Sequence, residues 1–368
     1  MERKNIITSA QLFSLLFLSS IIIGISYNLP MAKSSNMWDH IISAAIAFIV
    51  NIVFILPIYK LYKINPIMSI ADNCFVSFKK IGILFLIIYA LYYLFACCYT
   101  LSLFNIFVRD VVNPDISLFI LSTCVILAAS YAASKGIEGI ARACTIILFI
   151  ICISIGFIVF TLIPQIDIMN FSPLLLDGFS DTFNGTIYLV SLSYYIPLSA
   201  IIYPFAKGNV KKTLFFANLS IYLLFIFIVV IVTGALGDYL KTQNFPLYTA
   251  TSVAEIGVFK RLDAIYLGIF TTGLFITVSI FLFAFFLVMK RIFGEEKNKI
   301  IIISGNILVL TISLILPVFK EVSYFFYDMN FILVFTFLVS FVIPLIILIK
   351  HKLRLKKGTA INKSRVEL

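Results

Sequence analysis

The chain has 368 residues, of which 62% are hydrophobic and only 12% charged, whereas about a quarter of the residues in a water-soluble domain carry charge. That balance, with a mean hydropathy of +1.10, excludes a soluble enzyme and requires lipid as the solvent for most of the chain. The net charge of +11 then reads as membrane topology and attraction to anionic lipid at one face, not as nucleic-acid binding.

Apolar stretches recur from end to end. A hydrocarbon core about 30 Å thick needs about twenty residues of helix, and without water every backbone amide must be satisfied inside its own segment. Ten spans are predicted, at 8–32, 40–59, 81–108, 115–133, 141–163, 183–205, 213–236, 262–289, 299–318 and 329–349, as one polytopic domain over residues 1–368.

The first span follows Arg3 and Lys4 and so resembles a secretory leader, but the apolar run is too long and no small-x-small cleavage site follows Pro30. It carries Gly24 near mid-depth and Pro30 beyond it. The loop up to Lys80 reads YKLYKINPIMSIADNCFVSFKK. Asn65 is expected to cap a helix with Pro66 at its first position. Ile67, Ile70, Ala71, Cys74, Phe75 and Phe78 share one face, which describes an amphipathic helix on the inner leaflet.

Polar or small residues on the third span (Tyr93, Cys97, Thr100) and on the eighth (Thr271, Thr272, Thr277, Ser279) either line a site or bond their own carbonyls one turn back. The sixth span reads SLSYYIPLSAIIYP, with Pro197 and Pro204 among Ser191, Ser193, Tyr194, Tyr195 and Ser199. Spans one and six open two halves of five helices each, and an odd number per half inverts the second. Interrupted helices in equivalent positions of inverted repeats point to a midplane site, where half-helix N-termini offer amides to a substrate carboxylate; a zwitterionic amino acid fits. Ordinary kinks are the alternative. Residues 237–261 form the longest outer loop, either a lid or a simple connection.

Cytoplasmic loops retain Lys and Arg. With both termini inside, the inner segments carry 22 of the 28 basic residues, leaving only Lys33, Arg109, Lys241, Lys260, Arg261 and Lys320 outside. Ionisable groups avoid the span interiors: Arg109, Asp110, Glu138 and Arg142 sit at helix ends, and His40 and His351 at the interfaces. Acid–base or metal-assisted catalysis and a buried-acid proton relay are therefore disfavoured, and neither an enzyme, a metal site nor a cofactor is expected. The six cysteines lack metal-ligand spacing and read as packing residues.

Several strings in order resemble the endospore germination permease family, the B subunits of germinant receptors, within the amino acid-polyamine-organocation transporter superfamily. They are ITSAQLFSLLFLSSIIIGISYNLP with Ser9 and Gln11, YAASKGIEGIAR (131–142), IIYPFAKGNVKK (201–212) and NFPLYTATSVAEIGVFKRLDAIY (244–266). The resemblance implies an all-α membrane fold of two inverted five-helix repeats, LeuT-like, with helices one and six discontinuous. It implies a ligand pocket at Gly24, Ile25 and Ser26; Cys97; Leu192, Ser193 and Tyr194; and Thr277 with Phe281. It further implies sensing of nutrients at the spore inner membrane, together with an A subunit and a C-subunit lipoprotein. Glu138 and Arg142 form either a helix-end ion pair or a contact with the cytoplasmic partner. An amino acid carrier and a nutrient-gated ion-release channel are the other functions this scaffold accommodates.

Overall fold

The computed structural model describes residues 7–26, 36–78, 80–171, 179–256, 259–260 and 262–353. In chain order it holds α1 (Ser9–Ser26), α2 (Met37–Ile64), a short α3 (Ile70–Phe78), α4 (Lys80–Phe107), α5 (Leu118–Lys135) and α6 (Ile137–Leu162). The sixth span follows as two pieces, α7 (Phe179–Ser191) and α8 (Tyr195–Ile202). Then come α9 (Val210–Leu236), α10 (Pro246–Val253), α11 (Asp263–Phe293), α12 (Asn298–Ile315), α13 (Lys320–Phe326) and α14 (Met329–Phe337), which continues to Leu353. Among the described residues nine helices are long and apolar enough to cross a bilayer, and α1 supplies the first of the ten expected spans. Each span begins within about one helical turn of the place its hydropathy assigns.

Position in the bundle follows composition. The sixth span, rich in Ser, Tyr and small residues, is 89% buried, whereas α6 is only 22% buried. Ile146, Phe149, Ile150, Ile153 and Phe160 of α6 face outward, which costs nothing where the surroundings are acyl chains as apolar as the side chains. The broadest helix–helix seam joins α4 to α11, and α1 packs against both α9 and α11. At Gly273 of α11 an added Cβ would overlap Ile22 of α1, so this glycine sets the close approach of the two helices.

At the basic end of the bundle two short strands, β1 (Ile7–Thr8) and β2 (Ala206–Lys207), pair in parallel. They tie the entry of α1 to the exit of the sixth span. Thr8 and Gln11 form a capping box at the start of α1, with Thr8 N–H on Gln11 Oε1 (2.9 Å) and Gln11 N–H on Thr8 Oγ1 (3.2 Å). Ser9 Oγ donates to the Lys207 carbonyl at 2.9 Å.

The loop before α4 departs from expectation. Asn65 ends α2, its N–H bonding the Leu61 carbonyl, and Pro66 follows the stop because it cannot extend a helix. The N-terminus of α3 lies instead at Ser69, whose N–H and Oγ both bond Asp72 Oδ2 (2.9 and 2.7 Å). Of the expected apolar face only Ile67 is exposed; Ile70, Ala71 and Cys74 are buried with Asp72, Asn73 and Ser77, and Phe75 and Phe78 pack against the core. This face docks on protein. Tyr203 Oη donates to the Met68 carbonyl at 2.5 Å, Arg291 pairs with Asp72 at 3.3 Å and lies over the Phe75 ring, and Lys350 Nζ sits 3.7 Å from the Phe78 centroid.

At the opposite end α10 packs across the ends of α4 and α11. Phe107 meets Phe245, Tyr248, Tyr266 and Phe270, and Tyr248 Oη donates to Asp263 at 3.1 Å. The described part of this loop is thus a short helix seated on the ends of spans three and eight.

Candidate functional site at the break in helix six

The helix of span six stops at Ser191 and restarts at Tyr195. Pro197, at the third position of α8, has no N–H to give. The intervening turn is held by Tyr194 N–H on the Leu192 carbonyl (2.8 Å) and Ile196 N–H on the Ser193 carbonyl (3.1 Å). Leu192, Ser193 and Tyr194, all expected in the pocket, are therefore the break itself, and all three are buried.

Their side chains diverge. Tyr194 points toward spans three and eight, its ring 5.9 Å from Tyr92, 6.0 Å from Tyr99 and 5.9 Å from Phe281. Its hydroxyl is buried and has no hydrogen-bond partner, an unusual state that costs about 1–3 kcal/mol. Ser193 turns the other way. Its Oγ donates to the Leu189 carbonyl (3.1 Å) and accepts from Asn51 Nδ2 of α2 (2.5 Å), whose second N–H goes to Tyr222 Oη of α9, also at 2.5 Å.

The amides and carbonyls freed by the break are distributed among neighbouring spans. Tyr195 N–H bonds Ser20 Oγ of α1 at 3.3 Å, so the first donor of α8 is capped by protein. Thr336 Oγ1 of α14 donates to the Ser191 carbonyl (3.0 Å), which leaves Tyr92 Oη to donate to Thr336 across 3.2 Å. Tyr93 Oη donates to the Pro197 carbonyl at 2.7 Å, and Tyr195 Oη to Asn218 Oδ1 of α9. Such satisfaction is the condition for irregular backbone at membrane depth.

The remaining expected residues fall around this core. Cys97, Thr277 and Phe281 are fully buried. Thr277 Oγ1 donates to the Gly273 carbonyl one turn back (2.8 Å) and approaches the Leu18 carbonyl of α1 at 3.4 Å, while Cys97 Sγ faces the Val278 carbonyl at 3.9 Å. Thr100, Thr272 and Ser279 bond carbonyls of their own helices, which is the helix-internal alternative. Gly24 does not break α1, which winds through it to Ser26; one glycine costs a helix only about 1 kcal/mol. The side chains of Ile25 and Ser26, and the stretch 27–35 that includes Pro30, lie outside the described residues. Glu138 and Arg142 form an exposed i,i+4 ion pair away from the break.

Between Lys80 and Arg109, Asp181 and Lys207, and Asp263 and Lys290, spans three, six and eight hold no charged side chain. A cavity of about 30 Å³ lies beside the break, lined by Ser20, Leu192, Ser193, Tyr195 and Tyr222 among others. That is room for a water molecule and not for an amino acid. Sequence reasoning missed Ser20, Asn51, Tyr92, Tyr99, Asn218, Tyr222 and Thr336 as members of the site. Their one signal is polarity within otherwise apolar spans.

Nine bilayer-length helices among the described residues, with α1 packed among them and the sixth span broken near its middle and wired to its neighbours, define a multi-pass membrane protein with a transporter-like fold. The fold resembles a Na+-coupled sialic acid symporter solved in a substrate-bound outward-open state, with a TM-score of 0.60 at 15% identity over 90% of this chain and 79% of that one. It is the LeuT-like arrangement of inverted repeats. The chain belongs to the spore permease family, described as spore germination proteins, whose model matches residues 6–317. It is 26% identical over 230 residues to spore germination protein KB of Bacillus subtilis (strain 168), a match covering 60% of this chain and 61% of that relative's length.

Proposed function

We propose that this chain is the nutrient-binding B-type subunit of a spore germinant receptor, with an amino acid as its ligand at the break in helix six. The observation that carries the reading is the Leu192–Tyr194 interruption, wholly enclosed, with the unpaired Tyr194 hydroxyl at the junction with spans three and eight. Ligand contacts are assigned to Gly24, Ile25, Ser26, Cys97, Leu192, Ser193, Tyr194, Thr277 and Phe281. The receptor sits in the spore inner membrane with both termini cytoplasmic, beside an A subunit and a C-subunit lipoprotein, and Glu138–Arg142 faces that assembly.

A ligand sensed near millimolar concentration brings only about 4 kcal/mol, and its effect cannot exceed its differential affinity for two arrangements. The described cavity admits a water and excludes an amino acid. The test is ligand-induced thermal stabilisation of the purified protein with the protein L-amino acids, glucose and inosine. A saturable shift with an amino acid, lost when Tyr194 is replaced by Ala, supports the site; the same shift in Tyr194→Ala refutes it.

The fold resemblance to a symporter favours one second reading, a carrier that moves the same ligand across the membrane. Uptake of labelled amino acids into reconstituted vesicles separates the two, since a sensor binds without net transport.

A further inference from the structure

We infer that Asn51 is the positioning residue of the site: it sets where the break in helix six lies and thereby how tightly a ligand binds there. The inference rests on the reading of that break as the ligand site. Among the described residues the hydrogen bonds of Asn51 run to Ser193 and Tyr222 and not to Tyr194, so it acts through Ser193.

Asn51 is fully buried in α2, at the centre of a span whose neighbours Val50, Ile52 and Val53 are all apolar. Its amide nitrogen has two hydrogens, and both are used, one on Ser193 Oγ and one on Tyr222 Oη. Ser193 is the middle residue of the three-residue gap between α7 and α8, outside both helices. Its backbone has few other restraints: Ser193 N–H reaches the Val190 carbonyl at 3.2 Å, and its carbonyl holds Ile196 N–H. The side chain thus ties the gap to α2 and, through Asn51, to α9. A second bond runs parallel, from Tyr195 Oη to Asn218 of α9, whose own Nδ2 holds the Phe48 carbonyl of α2.

Spans two and seven therefore grip the break on the side facing away from Tyr194, and the 30 Å³ cavity lies against the same grip, lined by Ser193, Tyr195 and Tyr222. Because Ser193 and Tyr194 are consecutive and point in opposite directions, pulling Ser193 toward α2 fixes how far the Tyr194 ring reaches between Tyr99 and Phe281. A leucine at position 51 keeps the approximate volume and removes both donors. Released, the gap samples positions in which Tyr194 is misplaced, and apparent affinity falls in proportion to the fraction lost.

The test uses the full chain in lipid nanodiscs, as wild type, Asn51→Leu and the milder Tyr222→Phe, which keeps the ring should Asn51→Leu assemble poorly. Hydrogen exchange is followed in the peptide across residues 189–196, and in parallel the midpoint and maximum of the thermal shift with the protein L-amino acids. The expected result is exchange faster by about tenfold or more in that peptide alone, with the midpoint displaced to higher concentration and the maximum retained. Unchanged exchange in both variants overturns the positioning role and leaves the proposed ligand site standing. Faster local exchange with an unmoved midpoint shows that the break is not where the ligand binds, and overturns the proposed site together with this inference.

Discussion

Ser20 Oγ accepts the backbone hydrogen of Tyr195 across 3.3 Å, so a side chain of span one caps the inner half of the broken span six. The N-terminus of α8 is consequently not an open anion site in this arrangement. Its first amide is taken by Ser20, its second by the Ser193 carbonyl, and Pro197 has none. A ligand carboxylate seeking these donors has to displace Ser20, which links occupancy of the site to separation of spans one and six.

Tyr194→Phe isolates the unpaired hydroxyl. Removing a buried polar group that has no partner relieves its desolvation cost, so thermal stability should hold or rise by up to about 1 kcal/mol. If the hydroxyl serves a ligand, the nutrient midpoint moves upward at the same time. Thermal unfolding and a ligand titration on the same preparation read both.

Thr336→Val should behave in the opposite way. The Thr336 hydroxyl is shared between the Ser191 carbonyl and Tyr92 Oη, and its loss strands a buried carbonyl at the end of α7, at a cost of about 1–3 kcal/mol. The check is the thermal midpoint beside that of Thr123→Val. Thr123 is half-buried and bonds the Phe119 carbonyl of its own helix, so its replacement should cost far less.

The Asp72–Arg291 pair joins α3 to the end of α11 at 3.3 Å, with Asp72 nearly buried and Arg291 half exposed. A double-mutant cycle with Asp72→Asn and Arg291→Gln should give a coupling below about 1 kcal/mol that weakens with salt, as solvent-screened pairs do. Asp72→Ala alone should cost more than the coupling. It also removes the capping bonds to Ser69, themselves worth about 1 kcal/mol.

Cys74, on the docked face of α3, has its thiol pushed up to about 12 by burial, with nearby Asp72 adding to the effect. The raised value favours the neutral thiol in the folded state. Its contribution to stability is therefore complete below the ordinary thiol value of 9.0 and is lost as pH climbs from there toward about 12. A water-soluble maleimide at about pH 7.5 should label Cys74 slowly in the native protein and rapidly once α3 is undocked by detergent denaturation. Rapid native labelling would show that α3 leaves its seat.

Hydropathy made the spans legible because each apolar run has one physical use, and the cluster of Ser, Tyr and Pro at 191–197 located the break because those residues conflict with an uninterrupted helix. The partners of the break were not legible. Asn51 and Thr336 are isolated polar residues on apolar helices and Ser20 is one of a serine pair, and which way each faces depends on helix rotation, which is decided by packing across the bundle. The Asn65–Pro66 pair misled for a local reason: Asn and Pro suit the exit of one helix as well as the entrance to the next, and only the tertiary contacts of α2 choose. Divergence of Ser193 from Tyr194 was hidden too, since adjacent residues outside a helix have no fixed angular relation.

The paired strands Ile7–Thr8 and Ala206–Lys207, with Ser9 clasping the Lys207 carbonyl, yoke the feet of the two central rods. Neither foot can step aside alone without tearing backbone bonds. Any displacement at this end of the bundle therefore carries both feet together, and separation of spans one and six has to begin beyond the yoke.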